Sequence, residues 1–317
     1  MVDVGGQLNA GIIRQQSQIV VSERKRRCIG FGVLVLSIIC MPARGDLKVT
    51  DDTGRTISIP RPATRIVSLA PHITENVFAI GAGARLVGTA DHSDYPPSAK
   101  QLPRVGSAHK LDLERIVALA PDLIIAWRSG NPAGEVNRLR GLGFPIFVTE
   151  PRSLADIATM LERLGVLMGV EPTAQPAAAA FREEAQRLID DHSGRSPVRV
   201  FYQIWDSPLM TLSGAHIVSE LLRHCGGLNV FADLRTLAPQ VDIEAVLAAD
   251  PDVILISGSA RSGPNWVDHW RAWPRLKAVR TRHLYFISPD IIQRQTPRIL
   301  LGMAQICKAL ENTRDTP

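Results

Sequence analysis

Three histidines, His72, His92 and His109, fall near the ends of predicted strands in the first half of the chain. Imidazole is the commonest metal ligand, and a trio in loops at one end of a sheet could hold a metal. Each taken alone is more often an ordinary solvated loop residue. Trp127 closes an apolar run, where an indole either packs into the core or covers a flat guest. Glu114 and Glu244 recur in two similar segments and are candidates for a surface contact or for helix N-terminal charges. Motifs for covalent, metal-assisted or phosphoryl chemistry are missing: there is no G-x-S-x-G, H-E-x-x-H, C-x-x-C or P-loop. Gly81-Ala82-Gly83 lacks the third glycine of a dinucleotide fingerprint and follows a predicted helix rather than a strand. The pattern favours binding over catalysis.

The elements that must position these residues alternate. Leu47–Ile59 reads as a hairpin around Asp52-Thr53-Gly54-Arg55. Arg65–Leu69, Leu86–Thr89, Leu123–Trp127 and Ile146–Thr149 are short apolar strands, with helices predicted over Ile73–Ile80, Leu113–Leu119 and Glu135–Leu142. Ser153–Val170 and Ala174–His192 are then both helical, the second a connecting helix of roughly 25–30 Å at 1.5 Å per residue. Alternation resumes with strands at Val198–Ile204, Val253–Ser257 and Leu284–Ile287, a helix at Ile217–His224, and a final helix whose stripe is Ile299, Leu300, Met303, Ile306, Cys307 and Leu310. Strand–helix alternation predicts an α/β fold with parallel sheets covered by helices.

A repeat sharpens this. Residues 111–125 and 241–255 match at an offset of 130, aligning Asp112 with Asp242, Glu114 with Glu244, Pro121 with Pro251 and Asp122 with Asp252. In each copy an Asp caps a helix, a Glu sits in its first turn, and Pro-Asp ends the helix and opens a buried strand. Two similar lobes, about 46–150 and 195–317, joined by a helical connector at 151–194, leave a cleft between them as the natural ligand site.

The chain has 317 residues, 45% apolar and 21% charged, an ordinary globular balance. Its net charge of +5 is mostly N-terminal: residues 1–45 carry six basic and two acidic residues, the remainder 30 and 29. A near-neutral body makes no electrostatic case for nucleic acid. Arg24–Arg27 followed by the uncharged stretch Cys28–Met41 and a small-residue site ending at Gly45 reads as an export signal over 1–45, with the true start expected near Val20 or Val21. Ile39 stands where a lipid-anchored leader before Cys40 needs a small residue, so export without a lipid anchor is expected. Cys225 and Cys307 then remain: either two buried thiols or, favoured by export, a disulfide.

Arg65-Ile66-Val67-Ser68-Leu69-Ala70-Pro71 with Thr74-Glu75, Ser93-Asp94-Tyr95-Pro96-Pro97, Leu113–Leu119, Pro121–Arg128, Cys225-Gly226-Gly227, Pro239-Gln240-Val241 and Pro297-Arg298-Ile299-Leu300 occur in an order that resembles the periplasmic binding proteins for metal chelates. These serve ABC importers of vitamin B12, haem and ferric siderophores. The resemblance covers about residues 47–310 and is most similar to the cobalamin-binding branch. It implies two α/β lobes bridged by a rigid helix, a periplasmic monomer without catalytic activity or resident cofactor, and a corrinoid passed to a permease and its ATPase. It also implies that Glu114 and Glu244 dock onto the permease, that Cys225 pairs with Cys307, and that Trp127, Tyr95 and Asp290 line the cleft. Where aromatics line that cleft, this chain has His92, Ala108 and Ala238; Tyr202, Trp205 and Met210 are expected to compensate from the second lobe. His72, His92 or His109 would serve if the guest were haem or an incomplete corrinoid, and Arg128 or Arg294 if it were a siderophore.

Overall fold

The computed structural model describes residues 46–258 and 263–315. The expected export signal and cleavage site, residues 1–45, lie outside the described residues. The hairpin forms as β1 (Leu47–Thr50) and β2 (Thr56–Ile59), antiparallel, with Gly54 at φ +81° in the turn. The chain then runs β3 (Ile66–Ser68), α1 (Pro71–Ala79), β4 (Leu86–Thr89), the small hairpin β5 (Gly106–Ser107) and β6 (Lys110–Leu111), α2 (Leu113–Ala118), β7 (Leu123–Trp127), α3 (Ala133–Gly141) and β8 (Ile146–Thr149). Two helices follow, α4 (Leu154–Met168) and α5 (Glu171–His192). The second half comprises β9 (Val198–Gln203), α6 (Ile217–His224), β10 (Gly227–Asn229), α7 (Ile243–Ala249), β11 (Val253–Ile256), α8 (Gly263–Trp270), α9 (Lys277–Arg280), β12 (Leu284–Phe286), α10 (Pro289–Ile292) and α11 (Ile299–Asp315).

Among the described residues the strands build two four-stranded parallel sheets, ordered β4-β3-β7-β8 and β10-β9-β11-β12. Of the central strands β3 and β11 are buried end to end, and β7 is buried up to its last residue. Parallel strands covered on both faces need such continuous apolar runs. Both sheets belong to one compact unit. The connection between them is a pair of helices packed on each other, not a lone strut. A capping box starts α4, with Ser153 accepting from the Asp156 amide, and Gly169 at φ +60° ends it. Its stripe of Leu154, Ile157, Leu161, Leu164 and Met168 joins the largest core cluster, together with Phe181, Ala185 and Leu188 of α5. Pro176 stands in the second turn of α5 without ending it.

The repeat is exact in its chemistry. Asp112 accepts the Arg115 amide at 3.0 Å and Asp242 the Ala245 amide at 2.7 Å. The chain leaves each helix through a left-handed residue, Ala120 at φ +45° and Asp250 at φ +38°. Asp122 then accepts the Arg65 amide at 2.8 Å, and Asp252 the Arg199 amide at 2.7 Å. Each aspartate thus ties the start of its own strand to the start of the neighbouring one, which sets the parallel register in both halves.

The expected disulfide joins Cys225, the residue closing α6, to Cys307 in α11, with Cα atoms 4.7 Å apart. Tyr202 corrects an expectation: it is fully buried in β9 and belongs to the core, not to a cleft wall. β9 is packed on both faces there, Phe201 and Tyr202 alike being fully buried, and burial pushes the Tyr202 hydroxyl pKa up.

Candidate functional site

Ligands of open α/β sheets bind beyond the carboxyl ends of the strands. In the first lobe these ends are held by a side-chain lattice. Asn131 donates to the carbonyls of Leu69 and Ala108, each at 2.9 Å, and its Oδ1 accepts the Trp127 amide at 2.7 Å. One amide therefore fixes the loops after β3 and β7 and the β5–β6 turn. Ser68, Thr74 and Ser93 form a buried hydroxyl chain, with contacts of 2.5 and 3.0 Å. Arg104 donates to Thr89 Oγ1 and to the carbonyls of Ala90 and Ser93. Ser68, Thr74 and Ser93 stood in the sequence only within the segments of the resemblance, and Asn131 and Arg104 went unremarked; the Asn131-Pro132 break after a strand is the signal that could have marked a loop anchor.

Trp127 ends β7 half-buried. Its ring meets His72 edge-on at 5.3 Å between centroids. Gly130 also lies against it: a Cβ there would come within 1.8 Å of Trp127 Cε3. The indole is thus clamped, which suits a rigid contact surface.

His72 is not in a loop, as the sequence suggested, but in the first turn of α1, because Pro71 starts that helix at N1. It is 3% exposed, and its Nε2 has no hydrogen-bond partner among the described residues. Burial, helped by the nearby Arg294 charge, pulls its pKa down to about 3. His92 is exposed, at φ +62° in the loop after β4, and His109 is exposed in the β5–β6 turn. The three do not form a ligand trio: no group of three or more His, Cys, Asp or Glu that could hold a metal ion occurs among the described residues.

In the second lobe, Trp205 follows β9 and is 52% exposed, its ring edge-on to Trp266 at 5.9 Å and its Nε1 donating to the Ser207 carbonyl. Gln203 supports it, accepting from Trp270 Nε1 at 2.7 Å and donating to Asp206 at 3.1 Å. Met210 pairs with Trp205 through the backbone, and Ala238 is exposed. Asp290 stands in the first turn of α10, 2.7 Å from Arg294.

Arg294 is not free to meet an anion. Besides Asp290 it holds Glu75 at 2.7 Å and Asp94 at 2.8 Å. Arg298 reaches Glu75 at 3.4 Å and lies 3.9 Å over the Tyr95 ring. Arg128 is exposed after β7. A crevice of about 300 Å³ between Phe78, Tyr95, Pro96 and Thr296–Arg298 marks the outer edge of this junction. Glu114 and Glu244, in the first turns of α2 and α7, are both exposed and make no ion pair among the described residues.

The family described as periplasmic binding protein matches residues 66–291. A protein of Vibrio cholerae named vitamin B12-binding protein is 40% identical over 260 residues, which is 82% of this chain and 93% of that relative. The crystal structure of the periplasmic vitamin B12 binding protein of Vibrio cholerae is similar with a TM-score of 0.75 at 40% identity, covering 80% of this chain and 98% of that one. A periplasmic heme-binding protein from Roseiflexus, in apo form, follows with a TM-score of 0.71 at 25% identity, covering 79% and 99%. With its repeated lobes, its clamped indole at a strand end and this match over most of its length, the chain belongs to the periplasmic binding protein family.

Proposed function

We propose that this chain captures cobalamin or a related corrinoid in the periplasm and delivers it to the permease of an ABC importer. The observation that carries the reading is the 40% identity to a vitamin B12-binding protein across nearly that relative's whole length. The site agrees with it. A corrin is broad, flat and partly apolar, and indoles cover such a face at little entropic cost. Trp127 ends β7 and Trp205 follows β9, each at the carboxyl end of its sheet, and with them Tyr95, His92 and Asp290 are the proposed ligand contacts. Capture needs no bond to be made or broken. Residues 1–45 would direct export and leave the mature chain free of a lipid anchor, acting as a monomer.

Cyanocobalamin titrated into the purified protein should give a calorimetric isotherm. Trp127→Ala should weaken it on the order of 10- to 100-fold, the usual range for a central aromatic anchor. Gly130→Ala should do likewise by displacing the same ring. No heat with cyanocobalamin or cobinamide at high micromolar concentration would overturn the ligand. One observation favours haem as the second reading: His92 is exposed beside the strand ends, and a heme-binding structure shares the fold. Haemin would then give a Soret shift that His92→Ala abolishes.

Glu114 and Glu244 are the proposed permease contacts, one per lobe. Exposed, unpaired carboxylates on helix first turns are available to arginines of a partner. Glu114→Lys with Glu244→Lys should leave cyanocobalamin affinity within about twofold while lowering importer-dependent corrinoid uptake by more than tenfold. Normal uptake by the double variant would remove them from the interface.

A further inference from the structure

We propose that Glu75 is a positioning residue that latches the two lobes together and so presets the width of the cleft. This rests on the ligand reading above only for its consequence on binding. The seam between α1 and the segment Arg294–Arg298 is polar. Glu75, on α1, has a side chain 3% exposed and receives two guanidinium groups from the second lobe, Arg294 at 2.7 Å and Arg298 at 3.4 Å. Arg294 also holds Asp94 of the first lobe and Asp290 of the second, and donates to the His92 carbonyl at 3.4 Å. Arg298 lies on the Tyr95 ring. Asn76, next to Glu75, donates to the Gln295 carbonyl at 2.8 Å. One buried carboxylate therefore organises four groups at the cleft mouth: Tyr95, His92, Asp94 and Asp290.

The rest of the seam fits less well. Asn76 Oδ1, Gln295 Oε1 and Thr296 Oγ1 are buried with no hydrogen-bond partner among the described residues. Groups in that condition favour separation, since water would satisfy them. What opposes separation is the charge cluster. Removing the Glu75 charge leaves Arg298 without a carboxylate partner among the described residues and takes from Arg294 its one buried partner, Asp94 and Asp290 being about half exposed, so attraction across the seam is weakened. The seam should then open, and Tyr95 and Asp290 should lose their fixed places.

The test uses the full chain without ligand, with Cys28→Ser and Cys40→Ser and spin labels at Arg138→Cys on α3 and Arg280→Cys on α9, both exposed sites. Glu75→Gln should shift the inter-label distance to longer values and broaden it; Glu75→Asp should restore most of the native distribution. Arg294→Gln should widen it too, and adding Glu75→Gln to that variant should have less effect than it has alone, as coupled partners require. Cyanocobalamin should dissociate about tenfold faster from Glu75→Gln, with association nearly unchanged. If Glu75→Gln does not fold, Arg298→Gln, which removes one of the two links, should still widen the distribution by a smaller amount. A native distribution in the folded variants overturns the latch, whatever the ligand. Widening in a protein whose native form binds no corrinoid supports the latch and removes the ligand reading.

Discussion

Reducing the Cys225–Cys307 bridge is expected to lower stability by about 4–5 kcal/mol. The bridge spans 82 residues of sequence and closes about two-thirds of the second lobe, from the end of α6 into α11, into a loop. In the chain-entropy account its effect lies in the unfolded state, where it removes conformations that an open chain would gain, and the gain grows with the logarithm of loop length. Both cysteines are fully buried, so the folded lobe loses little packing when two thiols replace the bond. Against a typical net stability of about 5–15 kcal/mol the loss is large. Urea unfolding with and without a thiol reductant measures it. The pair Cys225→Ala with Cys307→Ala gives a second estimate; alanine is preferable to serine, which would bury a hydroxyl between α6 and α11. A midpoint that moves by less than about 1 kcal/mol equivalent would show that the reduced lobe keeps its constraint by packing alone.

Acid is expected to destabilise the protein well above the range where carboxylates titrate. His72, buried against Trp127, has its pKa drawn to about 3, and His216 to about 4, by burial first and then by Arg294 and Arg152 respectively. Both pKa values are depressed below the unfolded value of about 6.5, so the folded state binds fewer protons. Each contribution is fully present above about pH 6.5 and is lost as pH falls toward the folded value. Between pH 7 and 4 the His72 share is about 3 kcal/mol. His216 contributes less, being only partly buried, but its protonation also removes a cap, since its Nδ1 accepts the Val218 amide at 3.2 Å. Denaturant unfolding at several pH values should show stability falling between pH 6.5 and 4, with His72→Gln flattening that slope by about 1 kcal/mol per pH unit. An unchanged slope in His72→Gln would mean that His72 charges without cost where it lies.

What was legible in the sequence was local or repeated. The alternating strands and helices follow from apolar periodicity and from Pro and Gly breaks, and each sits within a few residues of its expected place. The offset of 130 disclosed the two-fold construction because the same three jobs, capping, dipole compensation and strand entry, need the same residue types twice. Glu114 and Glu244 were found for that reason. Tertiary structure alone decided which side chains meet. Nothing local distinguishes Tyr202, sunk in the core, from an aromatic on a cleft wall, since β9 offers both faces to packing. His72 read as a loop residue because a helix begun by proline shows no capping side chain to mark its start. Glu75 stood in the sequence only within the Thr74-Glu75 segment of the resemblance; its partners Arg294 and Arg298 lie 219 and 223 residues away, on a segment of the other lobe. Periodicity records a residue's immediate surroundings, whereas a charge cluster across a seam depends on how two finished lobes come together.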